Sequence, residues 1–410
     1  MTLTVTKLSN GLPVIIDHIN TVQTVAMGVW CRVGSRFETP EIAGISHFLE
    51  HMVFKGTSRR SALDISQEIE TVGGSLNAYT SREVTGYHAR VLSKDWKLAT
   101  DILCDITLNA TFDEEELERE RGVILQEIGQ TEDTPDDIIF DHFMETAYPT
   151  GAVGKPVLGT RQTVSDISSV QLKKYLKTHY TPESMVFCAS GNIDAEALVA
   201  FLETHLATIK KAPFPKPEKA IYKGGTYHES KKLEQSHIVI GFEGVSYHDG
   251  DYYTMSLLSM ILGGGMSSRL FQEIREKRGL VYSIFSFPTF LKDSGLFSIY
   301  GGTSPEKTQE LLAVTKSEVT RLANTLQEEE ITRAKNQLQA SLLMGLESTV
   351  ARCEHWAQSL LNFDRIRSAE EILTAINDVD KKQIQSLAEK VFSSRTTLAT
   401  LGPNDHPPTF

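Results

Sequence analysis

No stretch of the sequence approaches the roughly 18 consecutive apolar residues that a helix needs to cross a bilayer, so no membrane association is expected. Cysteine is scarce. The four residues Cys31, Cys104, Cys188 and Cys353 are widely spaced, with no C-x-x-C pair. Settings such as Val186-Phe187-Cys188-Ala189 are apolar, so the cysteines read as buried thiols of a reducing compartment. Positive charge is outweighed: 41 Lys and Arg stand against 53 Asp and Glu, a formal net charge of -12. That balance argues against nucleic acid as a partner, since phosphates require Lys and Arg. The first residues, Met1 to Leu8, lack both a signal-peptide core and an Arg-rich leader. They alternate like a strand up to a turn at Asn10-Gly11. A cytoplasmic location is expected, or the mitochondrial matrix if a presequence has been removed. Gly263-Gly264-Gly265 lacks the G-K-[ST] ending of a phosphate loop and reads instead as a mobile turn facing substrate.

What remains is an ordinary globular composition, 40% hydrophobic and 23% charged, in a 410-residue chain long enough for two domains. A linker interrupts it near the midpoint: Lys210 to Lys219 holds three prolines and four lysines. The two sides of that linker resemble each other. Gln67-Glu68-Ile69 with Gly74 repeats as Gln272-Glu273-Ile274 with Gly279, an offset of 272 − 67 = 205. Glu114-Glu115-Glu116-Leu117 repeats as Glu328-Glu329-Glu330-Ile331, an offset of 328 − 114 = 214. Nearly equal offsets indicate a duplicated domain with small insertions. Period-two stretches at 24–30 and 237–242 read as strands. Helical spacing appears near 42–55, 61–72, 95–108 and 113–130, with Asp113 or Thr111 as the cap of the last. Strands and helices do not alternate strictly. The expected class is therefore α+β, with two homologous domains, each a mostly antiparallel sheet with helices packed on one face. The expected division is 1–212, a linker at 213–219, and 220–410.

The chemistry concentrates in His47-Phe48-Leu49-Glu50-His51. His47 and His51 are i and i+4, so a helix projects both imidazoles from one face, a turn apart. Glu50 shares that side and lies within reach of a water on a metal held by the two histidines. The flanking sequence, Gly44 to Phe54, is strongly apolar. Burying three titratable groups in it is costly unless they are paired or bind metal. A catalytic zinc takes three protein ligands and leaves a position open. Helix 113–130 offers Glu114, Glu115, Glu116, Glu118, Glu120 and Glu127. Most of these form a solvated face, but Glu127 lies in the apolar run Val123-Ile124-Leu125-Gln126-Glu127-Ile128 and needs a partner. Glu120, two turns earlier, is positioned to orient a histidine. His88, His142 and His355 have no partner at ligand spacing and read as structural.

At this point the chain resembles the M16 family of inverzincin metallopeptidases, and within it the mitochondrial processing peptidase-like subgroup. That family pairs H-x-x-E-H with a ligand Glu about 76 residues later, and here 127 − 51 = 76. The resemblance continues through Gly73-Gly74-Ser75-Leu76-Asn77-Ala78-Tyr79-Thr80, Glu118-Arg119-Glu120, Lys155-Pro156-Val157-Leu158-Gly159-Thr160, Tyr180 to Val186 and Gly263 to Phe271, and so spans essentially the whole chain. It implies one zinc ion per chain held by His47, His51 and Glu127, with Glu50 as general base and Glu120 as support. The choice of Glu127 over its neighbours owes most to the resemblance. Zinc would acidify its water and polarise the scissile carbonyl.

Arg275 to Tyr282 is similar to the family's Arg-x6-Tyr segment, which implies Tyr282 as an oxyanion donor and Arg275 as a substrate clamp. Asn77, Ala78 and Tyr79 read as an edge-strand segment to which an extended peptide can add. An internal hairpin strand fits the same pattern. The second half has no H-x-x-E-H, and the 214 offset places Ala334 and Ser341 where Glu120 and Glu127 stand. It is expected to bind substrate and shape a chamber. Larger family members fuse four such domains, with the Arg and Tyr in the fourth and zinc in the first. By analogy this chain is expected to act on small or unfolded peptides as a homodimer, each active site completed by the partner's C-terminal domain. The alternative is a non-catalytic homologue like the core subunits of respiratory complexes, which lose the motif residues.

Overall fold

The computed structural model describes residues 2–410. Met1 lies outside them, so the strand expected to open the chain is described from Thr2 onward. The first sheet contains β1 (Thr2–Lys7), β2 (Pro13–His18), β3 (Thr24–Cys31), β4 (Ser75–Thr80), β5 (Thr85–Leu92) and β6 (Met185–Gly191). Their order is β1-β2-β6-β3-β5-β4, and only β2 and β6 pair in parallel. The second contains β7 (Gly225–Ser230), β8 (Ser236–Glu243), β9 (Val281–Phe290), β10 (Gly295–Thr303) and β11 (Thr397–Gly402). Their order is β7-β11-β8-β10-β9, with β7 and β11 the one parallel pair. Without β1, the two sheets have the same order and the same strand directions. The α+β class and the duplication are therefore visible in the topology, with β4 and β9 as corresponding edge strands.

The helices follow the expected periodicity closely. Those expected near 42–55, 61–72, 95–108 and 113–130 are Ile45–Met52, Ala62–Thr71, Trp96–Asn109 and Glu114–Glu132. Asp113 caps the last, its Oδ1 accepting from the backbone N–H of Glu115 and Glu116. Thr111 is not the cap; its hydroxyl donates to the carbonyl of Gly56.

Each sheet carries its main hydrophobic core on the face where most helices pack. The opposite face is not open to water. β3 and β6 are buried almost throughout, because a second, smaller core covers that face. Helix Thr349–Phe363 supplies it, packing on β2, β3 and β6. In the second sheet, helix Pro135–Ala147 does the same on β8 and β11. Gly241 makes room for it: a Cβ there would lie 2.3 Å from the ring of Phe143.

Each covering helix comes from the other half of the sequence. One compact unit comprises residues up to Gly129, Lys155–Glu218 and Met344–Ile366. The other comprises Gln130–Gly154, Lys219–Leu343 and Arg367–Phe410. A boundary thus falls inside the proline-rich segment, at Glu218, but the linear division at 213–219 does not capture the two exchanged helices. In the first unit the exchanged helix is secured by Asp17 of β2, which is almost fully buried. Its carboxylate accepts from Arg352 Nε at 2.5 Å and Nη2 at 3.0 Å, and from Trp356 Nε1 at 3.0 Å. Removing one partner strands a buried charge. Asp17→Ala is therefore expected to lower stability by about 3–5 kcal/mol in chemical denaturation. A loss below about 1 kcal/mol, the range of an exposed ion pair, would contradict this role.

Candidate metal centre

Helix Ile45–Met52 divides its side chains cleanly. Ile45, Phe48, Leu49 and Met52 are buried at the i, i+3, i+4, i+7 positions of one stripe. His47, Glu50 and His51 fall on the other side and are half-buried. Gly44 precedes the helix with φ 93°, and a Cβ there would lie 2.6 Å from the carbonyl oxygen of Leu158. The N-terminal amides are capped from a distance by Glu38, which accepts from Gly44 N at 2.7 Å and Ser46 N at 2.8 Å. Burial pushes the Glu38 carboxyl up to about 7, against the opposing pull of those amides.

Helix Glu114–Glu132 supplies the carboxylates. Glu120 lies in its buried stripe with Leu117, Ile124 and Ile128, and Glu127 stands two turns further along. Glu114, Glu115, Glu116 and Glu118 do not approach the histidines. Glu115, Glu116 and Glu118 pair with Arg119 and Arg121 on the helix surface, and Glu114 accepts from Ser169.

Glu127 Oε2 lies 3.7 Å from His47 Nε2 and 3.6 Å from His51 Nε2. One atom from each of the three residues falls within 4.8 Å of the others. Two donors at about 2.0–2.1 Å from a tetrahedral zinc would be spaced by about 3.3 Å, close to these separations. Glu127 Oε2 is buried and makes no hydrogen bond, which fits an atom whose partner is a cation. Burial, and then the neighbouring His51, hold the His47 imidazole far below its usual range, at about 3. It is therefore neutral and able to offer a lone pair. His51 Nδ1 lies 3.0 Å from Glu120 Oε2, which leaves Nε2 to face Glu127. Lys55 Nζ, 2.6 Å from Glu120 Oε1, completes a chain from Lys55 through Glu120 to His51. The residues present fit a zinc ion with one open position.

Glu50 points to the same side. Burial raises its carboxyl above the usual range, and the charge of Glu127 adds to the rise. A hydrogen bond with the Thr80 side chain and the proximity of His51 oppose it. Thr80 ends β4, the outer strand of the first sheet, against which the helix of His47 packs. β4 is therefore an edge strand and not an internal one. Leu76 and Ala78 join the main core, whereas Tyr79 turns to the smaller core on the other face. The Asn77 side chain accepts from the Ala78 N–H at 2.9 Å.

Arg275 and Tyr282 belong to the second compact unit. Arg275 lies near the end of a π-helical turn, Phe271–Glu276, and its guanidinium lies 5.4 Å from the Tyr282 ring centre and 4.7 Å from that of Phe271. Tyr282 is 82% exposed on the edge strand β9. His88 stacks on Trp30 and His142 on Tyr227. His355 packs edge-on against Trp356. All four cysteines are unpaired and buried. Lys55, Thr80 and Glu38 escaped the sequence reading. Of these only Lys55 left a trace, at i+4 from His51.

Known proteins match this chain in both halves. Residues 13–161 match the family described as "Insulinase (Peptidase family M16)", and residues 166–338 match "Peptidase M16 inactive domain". A Rickettsia felis protein named "Uncharacterized zinc protease" is 40% identical over 402 residues, covering 98% of each chain. A Bacillus subtilis protein, "Uncharacterized zinc protease YmxG", is 36% identical over 404 residues, covering 97% of this chain and 98% of its own. Among solved structures, a protease from Helicobacter pylori superposes with a TM-score of 0.92 at 21% identity, covering 98% of this chain and 99% of its own. That last likeness concerns the fold. With both halves matched in order and relatives aligned end to end, the chain belongs to peptidase family M16.

Proposed function

We propose that this chain is a zinc-dependent endopeptidase that hydrolyses small or unfolded peptides. The observation that carries the reading is the convergence of His47, His51 and Glu127 around one point, with Glu50 beside it. A zinc ion held there supplies Lewis acidity, acidifying water and polarising the scissile carbonyl. Glu50 accepts the proton of the attacking water and passes it to the leaving amine. Glu120, backed by Lys55, fixes the tautomer and direction of His51. The free edge of β4 pairs with an extended peptide through its backbone. In that role Asn77 and Ala78 contribute mainly main-chain groups, and the Asn77 side chain must release the Ala78 N–H. Tyr282 donates to the developing oxyanion, and Arg275 holds substrate.

In this reading the compact unit of residues up to Gly129, Lys155–Glu218 and Met344–Ile366 is catalytic, and the unit of Gln130–Gly154, Lys219–Leu343 and Arg367–Phe410 binds substrate. Among the described residues, no helix is long and apolar enough to cross a membrane. The buried, unpaired cysteines support a reducing compartment such as the bacterial cytosol.

The working form in this reading is a homodimer, with Arg275 and Tyr282 of one subunit facing the zinc of the other. The exposure of Tyr282 supports this, since an aromatic side chain left 82% in solvent is available to another chain. Mixing tests it, with cleavage of an unfolded peptide as the readout. Glu50→Gln and Tyr282→Phe subunits are each expected to be nearly inactive alone. After random exchange half of the dimers are mixed, each with one complete site, so about a quarter of wild-type activity should return. No recovery despite demonstrated exchange would exclude a shared site.

A further inference from the structure

β4 is gripped on both faces. On one, Thr80 meets Glu50. On the other, the Tyr79 hydroxyl donates to Glu354 Oε1 at 3.0 Å and accepts from Gln358 Nε2 at 2.8 Å. Asn362 Nδ2 donates in turn to Gln358 Oε1 at 2.9 Å. Glu354, Gln358 and Asn362 are successive i+4 positions, hence one line along helix Thr349–Phe363. That helix is the exchanged one, anchored to β2 by the buried pair of Asp17 and Arg352 and to the end of β3 by Arg32, which donates to the Leu360 carbonyl at 3.3 Å. A clamp on so firm a base has a consequence for the strand it holds. Edge strands have ladder partners on one side only and are the parts of a sheet most prone to local opening. β4 has β5 on one side, so its side-chain anchors decide how rigidly its other side is presented.

We propose that Glu354 and Gln358 are positioning residues for the peptide substrate. Acting through Tyr79, they hold the outer edge of β4 where a paired peptide lays its scissile bond beside Glu50 and the His47–His51–Glu127 cluster. The C-terminal half of the sequence thereby contributes to the site of its own subunit, apart from any contribution to a partner's. The ligand is an extended peptide backbone, so the proposal rests on the peptidase reading. It places the role of Tyr79 in its hydroxyl's grip on the helix and not in side-chain contact with substrate.

Three variants separate positioning from bulk stability. Glu354→Leu and Tyr79→Phe each break the bond between the two side chains. Glu354→Gln keeps an acceptor for the Tyr79 hydroxyl. Amide hydrogen exchange is followed in all strands of the first sheet, together with zinc content and the KM and kcat for an unfolded peptide. Glu354→Leu is expected to accelerate exchange in residues 75–80 by about tenfold and to raise KM by about tenfold, the effect of one lost hydrogen bond, and Tyr79→Phe, which loses both bonds of its hydroxyl, by at least as much. Zinc content should be retained, and Glu354→Gln should stay within about twofold of wild type in both measures. Wild-type exchange and KM in Glu354→Leu would overturn the proposal. So would faster exchange spread evenly over β1 to β6, which is the mark of general destabilisation. The exchange measurement needs no turnover, so it decides the clamp even where the wild-type protein fails to cleave peptides, a result that would count against the peptidase reading alone.

Discussion

Glu50→Gln should bind zinc like the wild type and turn over peptide about 100- to 10,000-fold more slowly, the usual share of a positioned general base. Gln matches Glu in shape and can still engage the Thr80 side chain, so the helix, β4 and the three ligand atoms need not move. What is lost is an acceptor for the proton of water. The surroundings of Glu50 favour proton abstraction. Burial lifts its carboxyl above the ordinary range, which makes it a stronger base than an exposed glutamate. Steady-state kinetics on metal-replete protein provides the check. Turnover within a factor of a few of wild type would remove Glu50 from the mechanism.

The proposed metal ligands should behave differently from the proposed base. His51→Ala removes one donor and leaves Glu120, buried to 6% exposure, with Lys55 as its remaining ionic partner. Zinc affinity and activity should fall together, by more than the roughly 10- to 100-fold typical of losing a supporting carboxylate. Glu120→Gln should fall within that smaller range, because the ligand set stays complete while His51 loses its charged acceptor. Competition with a chelator of known affinity ranks the variants. Equal losses for His51→Ala and Glu120→Gln would mean that Glu120 binds the metal itself.

Much of this centre was legible in the sequence because it depends on local periodicity. The i, i+4 histidines fix a shared face as soon as 45–52 is a helix. Glu127 betrays itself as a carboxylate in an apolar run, although the resemblance to a known family singled it out from its neighbours. The duplication was legible for the same reason, since its repeated segments frame the corresponding edge strands β4 and β9. The exchanged helices were not legible. The amphipathic pattern of 349–363 states that one face is buried but not which sheet buries it. Of the strands beneath, β6 carries little period-two signal, because both of its faces are covered. Partners such as Lys55 with Glu120, or Tyr79 with Glu354, join residues 65 to 275 positions apart. No local rule connects residues at that distance. The difference between an edge strand and an internal hairpin strand at 75–80 was likewise decided only by tertiary pairing.

In the proposed function one zinc ion, bound by His47, His51 and Glu127, makes this chain a peptidase. The most direct measurement is a zinc titration of chelator-stripped protein, with bound metal and cleavage of an unfolded peptide read in the same samples. Cleavage should be absent at the start, rise in proportion to bound zinc, and level off at one equivalent per chain. A His47→Ala/His51→Ala protein should bind no stoichiometric zinc and show no rise. Full cleavage before zinc is added, or one retained equivalent of zinc in the double variant, would contradict it.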